Sequence, residues 1–148
     1  MNLTPLTPEA LDAIGDEHEA LAELYEQILT ALQAEPVQCL RVITLLDELV
    51  AKLSEHFVHE EMGGYYSHVL TIAPWRAGTV EQLKRQHAEL ANAVARIAGG
   101  AHFAGESVPS WAAVRKDFEE FLRRCVEHEA NEERVIQETY LLDVTAAN

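Results

Sequence analysis

Two stretches decide how this chain reads: Glu55-His56-Phe57-Val58-His59-Glu60-Glu61 at residues 55–61, and Glu127-His128-Glu129-Ala130-Asn131-Glu132-Glu133 at residues 127–133. Both fit the template E-H-x-x-x-E-E. In each, the His and the first of the paired Glu residues are four apart, so on a helix they stand one above the other on a single face. An imidazole and a carboxylate stacked in this way chelate one metal ion. One His with a Glu four residues on is unremarkable in a chain with 7 His and 25 acidic residues. The whole template occurring twice is a specific signal.

The flanking sequence puts both templates on helices. Thr7-Pro8 reads as an N-cap with Pro at the first helical position. From there Leu11, Ile14, His18, Leu21, Tyr25, Ile28 or Leu29, and Leu32 keep a 3.6-residue period, which predicts a first helix over about 8–34. Pro36 separates it from a second, whose stripe of Leu45, Leu49, Leu53, His56 and Glu60 ends at Gly63-Gly64. Residues 63–78 read as the least regular part, with Tyr65, Tyr66 and Trp75 and room for a short helical turn. Thr79-Val80-Glu81-Gln82 has the form of a capping box and starts a third helix. That helix carries Leu83, His87, Leu90, Val94 and Ile97 inward and ends at Gly99-Gly100, before a loop over 101–109. A fourth begins near Ser110, carries Trp111, Val114, Phe118, Phe121, Cys125, His128 and Glu132 inward, and fades after Leu142. No alternating strand pattern appears. The expected fold is all-α: an up-down-up-down four-helix bundle forming one domain over 1–148, with an irregular aromatic-rich segment between its second and third helices.

The halves resemble each other beyond the template. A lone His on the first helix, His18, and another on the third, His87, each precede a His-x-x-x-Glu pair on the following helix. Each lone His has Leu at the third position on (Leu21, Leu90). At about 1.5 Å rise per residue, all six side chains fall toward one half of the bundle and on its apolar stripes. Buried without partners, each would cost about 1–3 kcal/mol or more. Metal coordination removes that penalty. A lone inward His is more often a hydrogen-bonded core residue than a ligand. It is the repeated order that selects His18, His56, Glu60, His87, His128 and Glu132 as a metal set.

Other candidates take blander readings. His59 has Asn131 at the matching place and reads as a supporting or surface residue. His68 and His102 fall in segments expected to be irregular and read as solvated. Glu61 and Glu133 are placed to orient neighbouring imidazoles as acceptors. Glu55, Glu127 and Glu129 are assigned to a solvated face, and Cys125 to a packed thiol. Tyr65, Tyr66 and Trp75 either gate small-molecule access or cap the open end of the core, the cap being the simpler role. Tyr25 is a similar case.

Composition narrows the function. The formal net charge is −14, which repels phosphate backbones and anionic lipid and argues against nucleic acid and membrane partners. No apolar run nears the roughly 18 residues of a membrane span. The first ten residues lack a secretory pattern, and two cysteines without CxxC spacing suit a reducing, cytoplasmic setting.

On His18, His56 with Glu60, His87, and His128 with Glu132, the chain resembles the hemerythrin-like HHE cation-binding domains over essentially its whole length. The resemblance implies two non-haem irons bridged by the two carboxylates and an oxo or hydroxo group. Oxygen-carrying relatives have a further His four residues along on the third helix, where this chain has Leu83 and Ala91 around His87. They also use Asp at a five-residue spacing on the fourth helix, where Glu132 stands at four. The chain is thus more similar to the four-His, two-Glu subgroup, which includes nitric-oxide-responsive iron–sulfur-cluster repair proteins and an iron-sensing ubiquitin-ligase subunit. The expected function is binding or reduction of a small oxidant (O2, peroxide or NO) as sensor, scavenger or repair factor. Mixed imidazole and carboxylate ligation suits iron and is compatible with Zn or Mn. The alternative is a non-catalytic, iron-responsive interaction module whose fold depends on the metal and whose protein partner the sequence does not name.

Overall fold

The structure, a computed structural model, describes residues 8–147. They form helices α1 (Pro8–Gln33), α2 (Cys39–Met62), α3 (Tyr65–Ile72), α4 (Ala77–Ala104) and α5 (Val108–Ala147), with one 3-10 turn at Pro74–Arg76. No strand occurs among the described residues. The four long helices pack in ring order: α1 on α2, α2 on α4, α4 on α5, with α5 closing on α1. The cause is the stripe each presents. Leu21 and Ile28 of α1, Leu49 and Leu53 of α2, Leu90 and Val94 of α4, and Phe118 and Phe121 of α5 meet in one buried cluster. Each such side chain stabilises the fold by roughly 1.5–3 kcal/mol relative to leaving it in water.

A second, smaller cluster closes one end. Ile14 of α1, Tyr65, Tyr66 and Val69 of α3, Val80 and Leu83 of α4, and Val135 of α5 pack together there. Along α1, α4 and α5 the predicted ligands fall between the residues of the large cluster and those of the small one; on α2 they occupy the end that leads into α3. The seam between the clusters is therefore polar. His56, Glu60, His87, His128 and Glu132 lie there, all 3% exposed or less.

Several boundaries differ from the sequence reading. Gly63-Gly64 does end α2, and Gly64, at φ 92°, turns the chain in a conformation that other residues avoid. The segment after it is more regular than expected, because Tyr65, Tyr66 and Val69 are helical and buried against the bundle end. The capping box is not made: α4 starts at Ala77, two residues before Thr79, with Arg76 as N-cap and no side-chain cap bond. Gly99-Gly100 does not stop α4, which runs on to Ala104 because Ala98, Ala101 and Ala104 are buried. That burial outweighs a helix-propensity cost of about 1 kcal/mol per glycine. The expected loop over 101–109 shrinks to residues 105–107. His68 and His102 therefore sit on helices, the first 3.8 Å from Asp143 and the second 2.9 Å from Asp47. The Thr7 cap lies outside the described residues.

Candidate metal centre

The six predicted ligands assemble as two trios. His18, His56 and Glu60 bring one ligand atom each within 4.8 Å of one another, and so do His87, His128 and Glu132. The trios repeat each other's geometry. His18 and His56 stand edge to face with ring centroids 4.7 Å apart, and His87 and His128 do the same at 4.7 Å. Within the helical pairs, His56 Nε2 is 2.8 Å from Glu60 Oε1 and His128 Nε2 is 2.7 Å from Glu132 Oε1. His87 ties the trios together, its Nε2 lying 3.6 Å from Glu60 Oε1 and 3.5 Å from Glu132 Oε2.

The outward nitrogens fix the tautomers. His56 Nδ1 donates to Glu17 Oε2 at 2.8 Å, His87 Nδ1 to Glu61 Oε2 at 3.1 Å, and His128 Nδ1 to Gln86 Oε1 at 2.7 Å. Each acceptor is an oxygen, so each Nδ1 carries the hydrogen and each Nε2 turns a lone pair inward. There it meets carboxylate oxygens, which also offer lone pairs. His18 Nε2, both Glu60 oxygens, His128 Nε2 and Glu132 Oε1 are accordingly buried with no hydrogen-bond partner. Acceptors converging on acceptors at 2.7–2.8 Å repel unless a positive charge lies among them. These residues fit a cation on this ground alone.

The carboxylate pair shows the same need. Burial, and then the nearby Glu132, pushes Glu60 up to about 12. Glu132 is held below the ordinary carboxylate range: burial opposes this, but the facing His128 and His87 rings and the Glu60 carboxyl outweigh it. Without a cation the two acids keep one proton between them. Burial also holds His56 below its ordinary value, against the pull of Glu17, which favours the neutral ring that a ligand must be.

Glu61 supports an imidazole as expected. Glu133 does not: it is exposed and takes a hydrogen bond from Gln137 instead. Its expected role on the second half falls to Gln86. Glu17 is shared, accepting from His56 and, at 2.7 Å, from the half-exposed His59. Glu17 and Gln86 were missed, yet a signal existed, because each immediately precedes a lone His (Glu17-His18, Gln86-His87). Glu129 is also misplaced by the sequence reading. It is half-buried, not solvated, and burial raises its pKa. With Tyr25, Leu53, Phe57, Leu90 and Cys125 it lines a void of about 10 Å³ beside His56, His128 and Glu132. Burial pushes the Cys125 thiol up to about 12, so it packs as a neutral group.

Of the aromatic segment, Tyr65 packs into the small cluster and Trp75 is 69% exposed. Tyr66 does more: its hydroxyl donates to Glu132 Oε2 at 2.7 Å and lies 3.1 Å from His87 Nε2.

A helical bundle whose seam gathers imidazoles and carboxylates into two trios of buried lone pairs has the donor set of the cation-binding class. The family model of the hemerythrin HHE cation-binding domain matches residues 9–140, and the chain belongs to that family. Neither a curated protein nor a solved structure matches it. No described helix is long and apolar enough to cross a membrane.

Proposed function

We propose that this domain holds two iron ions, one in each trio, with Glu60 and Glu132 shared between them, and that it binds or reduces a small oxidant: O2, peroxide or NO. The observation that supports it is the pair of matching trios whose buried lone pairs face one another without a hydrogen-bond donor. Four His and two Glu with no thiolate suit iron, as in the four-His, two-Glu subgroup, and are compatible with Zn or Mn. Bound iron supplies one-electron redox chemistry and open positions for a diatomic ligand. The chain supplies the rest. Glu17, Glu61 and Gln86 hold the imidazoles in the ligating tautomer. Leu53, Phe57 and Leu90 keep bulk water from the void, and Tyr25, whose buried hydroxyl has no partner, offers a hydrogen to a small guest.

The up-down-up-down course belongs to the same reading. It is supported by Glu17 meeting His56 and His59 while Gln38 bonds Ala31, and by Gln86 meeting His128 while Ser107 bonds Ala104. Two free cysteines, Cys39 and Cys125, support a cytoplasmic setting. The test is anaerobic loading with Fe(II), metal analysis, then exposure to O2 or NO. The expected result is two irons per chain, one for each trio, and a rapid oxo-bridge band in the near ultraviolet. His56→Ala and His128→Ala should each lose metal. A chain that retains no iron after mild purification and loading overturns the proposal.

One observation favours a second role. Because the ligands occupy the seam between two apolar clusters, metal would bind the end cap to the bundle. An iron-responsive interaction module is the better reading if loaded iron proves inert to oxidants while the cap tightens.

A further inference from the structure

We infer that Tyr66 is itself a metal ligand, completing the donor set of His87, His128 and Glu132 with a phenol oxygen that the His18, His56 and Glu60 trio lacks. This rests on the two-ion reading above.

Three distances carry it. Tyr66 Oη is 2.7 Å from Glu132 Oε2 and 3.1 Å from His87 Nε2, and those two atoms are 3.5 Å from each other. Neighbouring donors around an ion at about 2.1 Å stand about 3 Å apart in six-coordinate geometry. The phenol oxygen thus sits where a neighbouring ligand atom belongs, at the same spacing as the residues already assigned. Hydrogen accounting agrees. His87 Nδ1 gives its hydrogen to Glu61, so Nε2 is an acceptor. Glu132 Oε2 is an acceptor as well. Tyr66 has one hydrogen, which goes to Glu132, so its oxygen faces His87 Nε2 lone pair to lone pair. Three buried acceptors with one hydrogen among them are short of positive charge, as the rest of the centre is.

The local structure holds the ring there. Tyr66 is 2% exposed and lies near-parallel to His87, with centroids 5.7 Å apart and planes at 25°. Its backbone is in the first turn of α3, placed by the Gly64 turn directly after the helix that carries Glu60 and Glu61. The pseudo-repeat offers no counterpart, since six residues after Glu60 stands Tyr66 and six after Glu132 stands Glu138. Two ions held this way are inequivalent. The Tyr66-bearing one has a position filled that the other leaves to an incoming ligand. On coordination the phenolic hydrogen passes to solvent as the metal–oxygen bond forms.

The experiment uses the full chain loaded anaerobically with Fe(II) and oxidised by ferricyanide, which takes one electron per iron. Iron content is measured alongside visible absorption and resonance Raman spectra, with ring-deuterated tyrosine as a second label. The expected result is a visible phenolate-to-iron charge-transfer band with Raman ring modes that shift on deuteration. Tyr66→Phe should abolish the band per iron bound, the measured iron content setting the scale, and Tyr65→Phe should leave both the band and the iron content intact. Iron-loaded native protein without deuterium-sensitive phenolate modes overturns the assignment and leaves the two-ion reading standing. A band that survives in Tyr66→Phe overturns it too. If Tyr66→Phe does not fold, the deuterated native protein decides. A native chain that takes up no iron overturns both readings.

Discussion

Gln86 gives His128 a neutral acceptor, whereas Glu17 and Glu61 give His56 and His87 charged ones. Charged acceptors make stronger hydrogen bonds and more basic imidazoles. Replacing Gln86 with Leu should weaken metal binding by about 10- to 100-fold, with Gln86→Glu recovering the loss; competition with a chelator measures this. Glu17→Ala should cost a similar factor, and His59→Ala little, since His59 is half exposed and touches no ligand atom. Titration gives a further expectation. Glu60 has its folded pKa above the unfolded value, so its contribution to stability is complete below about pH 4.5 and is lost as pH climbs toward about 12. His56 has its folded pKa lowered, so the unfolded ring takes the proton first and stability falls as pH drops below about 6.5. Metal-free protein should therefore melt lower at about pH 9 than at about pH 6.5, with a slope of at most about 1.4 kcal/mol per pH unit. Metal-loaded protein should show little of that slope, because the cation replaces the Glu60 proton. Thermal melts across pH, with and without iron, check the sign. The predicted pairs His56–Glu60 and His128–Glu132 were legible at this scale because a spacing of four is local, and His18 and His87 only through the repeated order. Glu17 and Gln86 were not, because they act across helices and acidic or amide residues are common on any helix surface.

Gly64 sets the angle between α2 and α3 and therefore where Tyr66 points. With φ at 92°, Gly64→Ala should cost roughly 1–2 kcal/mol in urea-denaturation stability and disturb the Tyr66 contacts with it. Inside the large cluster, Phe118 is fully buried, and Phe118→Ala should cost about 3–5 kcal/mol by the same measurement. The cores of the helices were readable from the 3.6-residue period. Their ends were less so. Thr79 and Gln82 have the residue types of a good capping box, but Val80 and Leu83 are buried in the small cluster, and the 3-10 turn at Pro74–Arg76 feeds straight into α4 two residues earlier. Gly99 and Gly100 look like a stop, yet tertiary packing of Ala98, Ala101 and Ala104 decides otherwise. Local propensity of about 1 kcal/mol loses to burial wherever both act on one turn.

Across the molecule, the predicted ligands divide two apolar clusters. Metal binding should stabilise the folded chain by about 4 kcal/mol at a free concentration a thousand times Kd. Hydrogen exchange should locate that gain. The expected pattern is protection rising most in α3 and the adjoining turns of α1, α4 and α5, and least around Leu49 and Phe118. Even slowing across all helices would speak against the seam. The bundle was legible as a whole because its two halves repeat. The asymmetry was not, since Phe57 and Glu129 hold matching places after His56 and His128 but differ in kind. Phe57 stacks on His87 at 4.0 Å, while Glu129 lines the void.

The seam also bears on how long a copy of this protein survives. On the two-ion reading, a chain without its ions would open first at the α3 end, where backbone would become available to proteases. Filled copies would then outlast empty ones, and the amount of protein in a cell would track its supply of metal without any separate sensor.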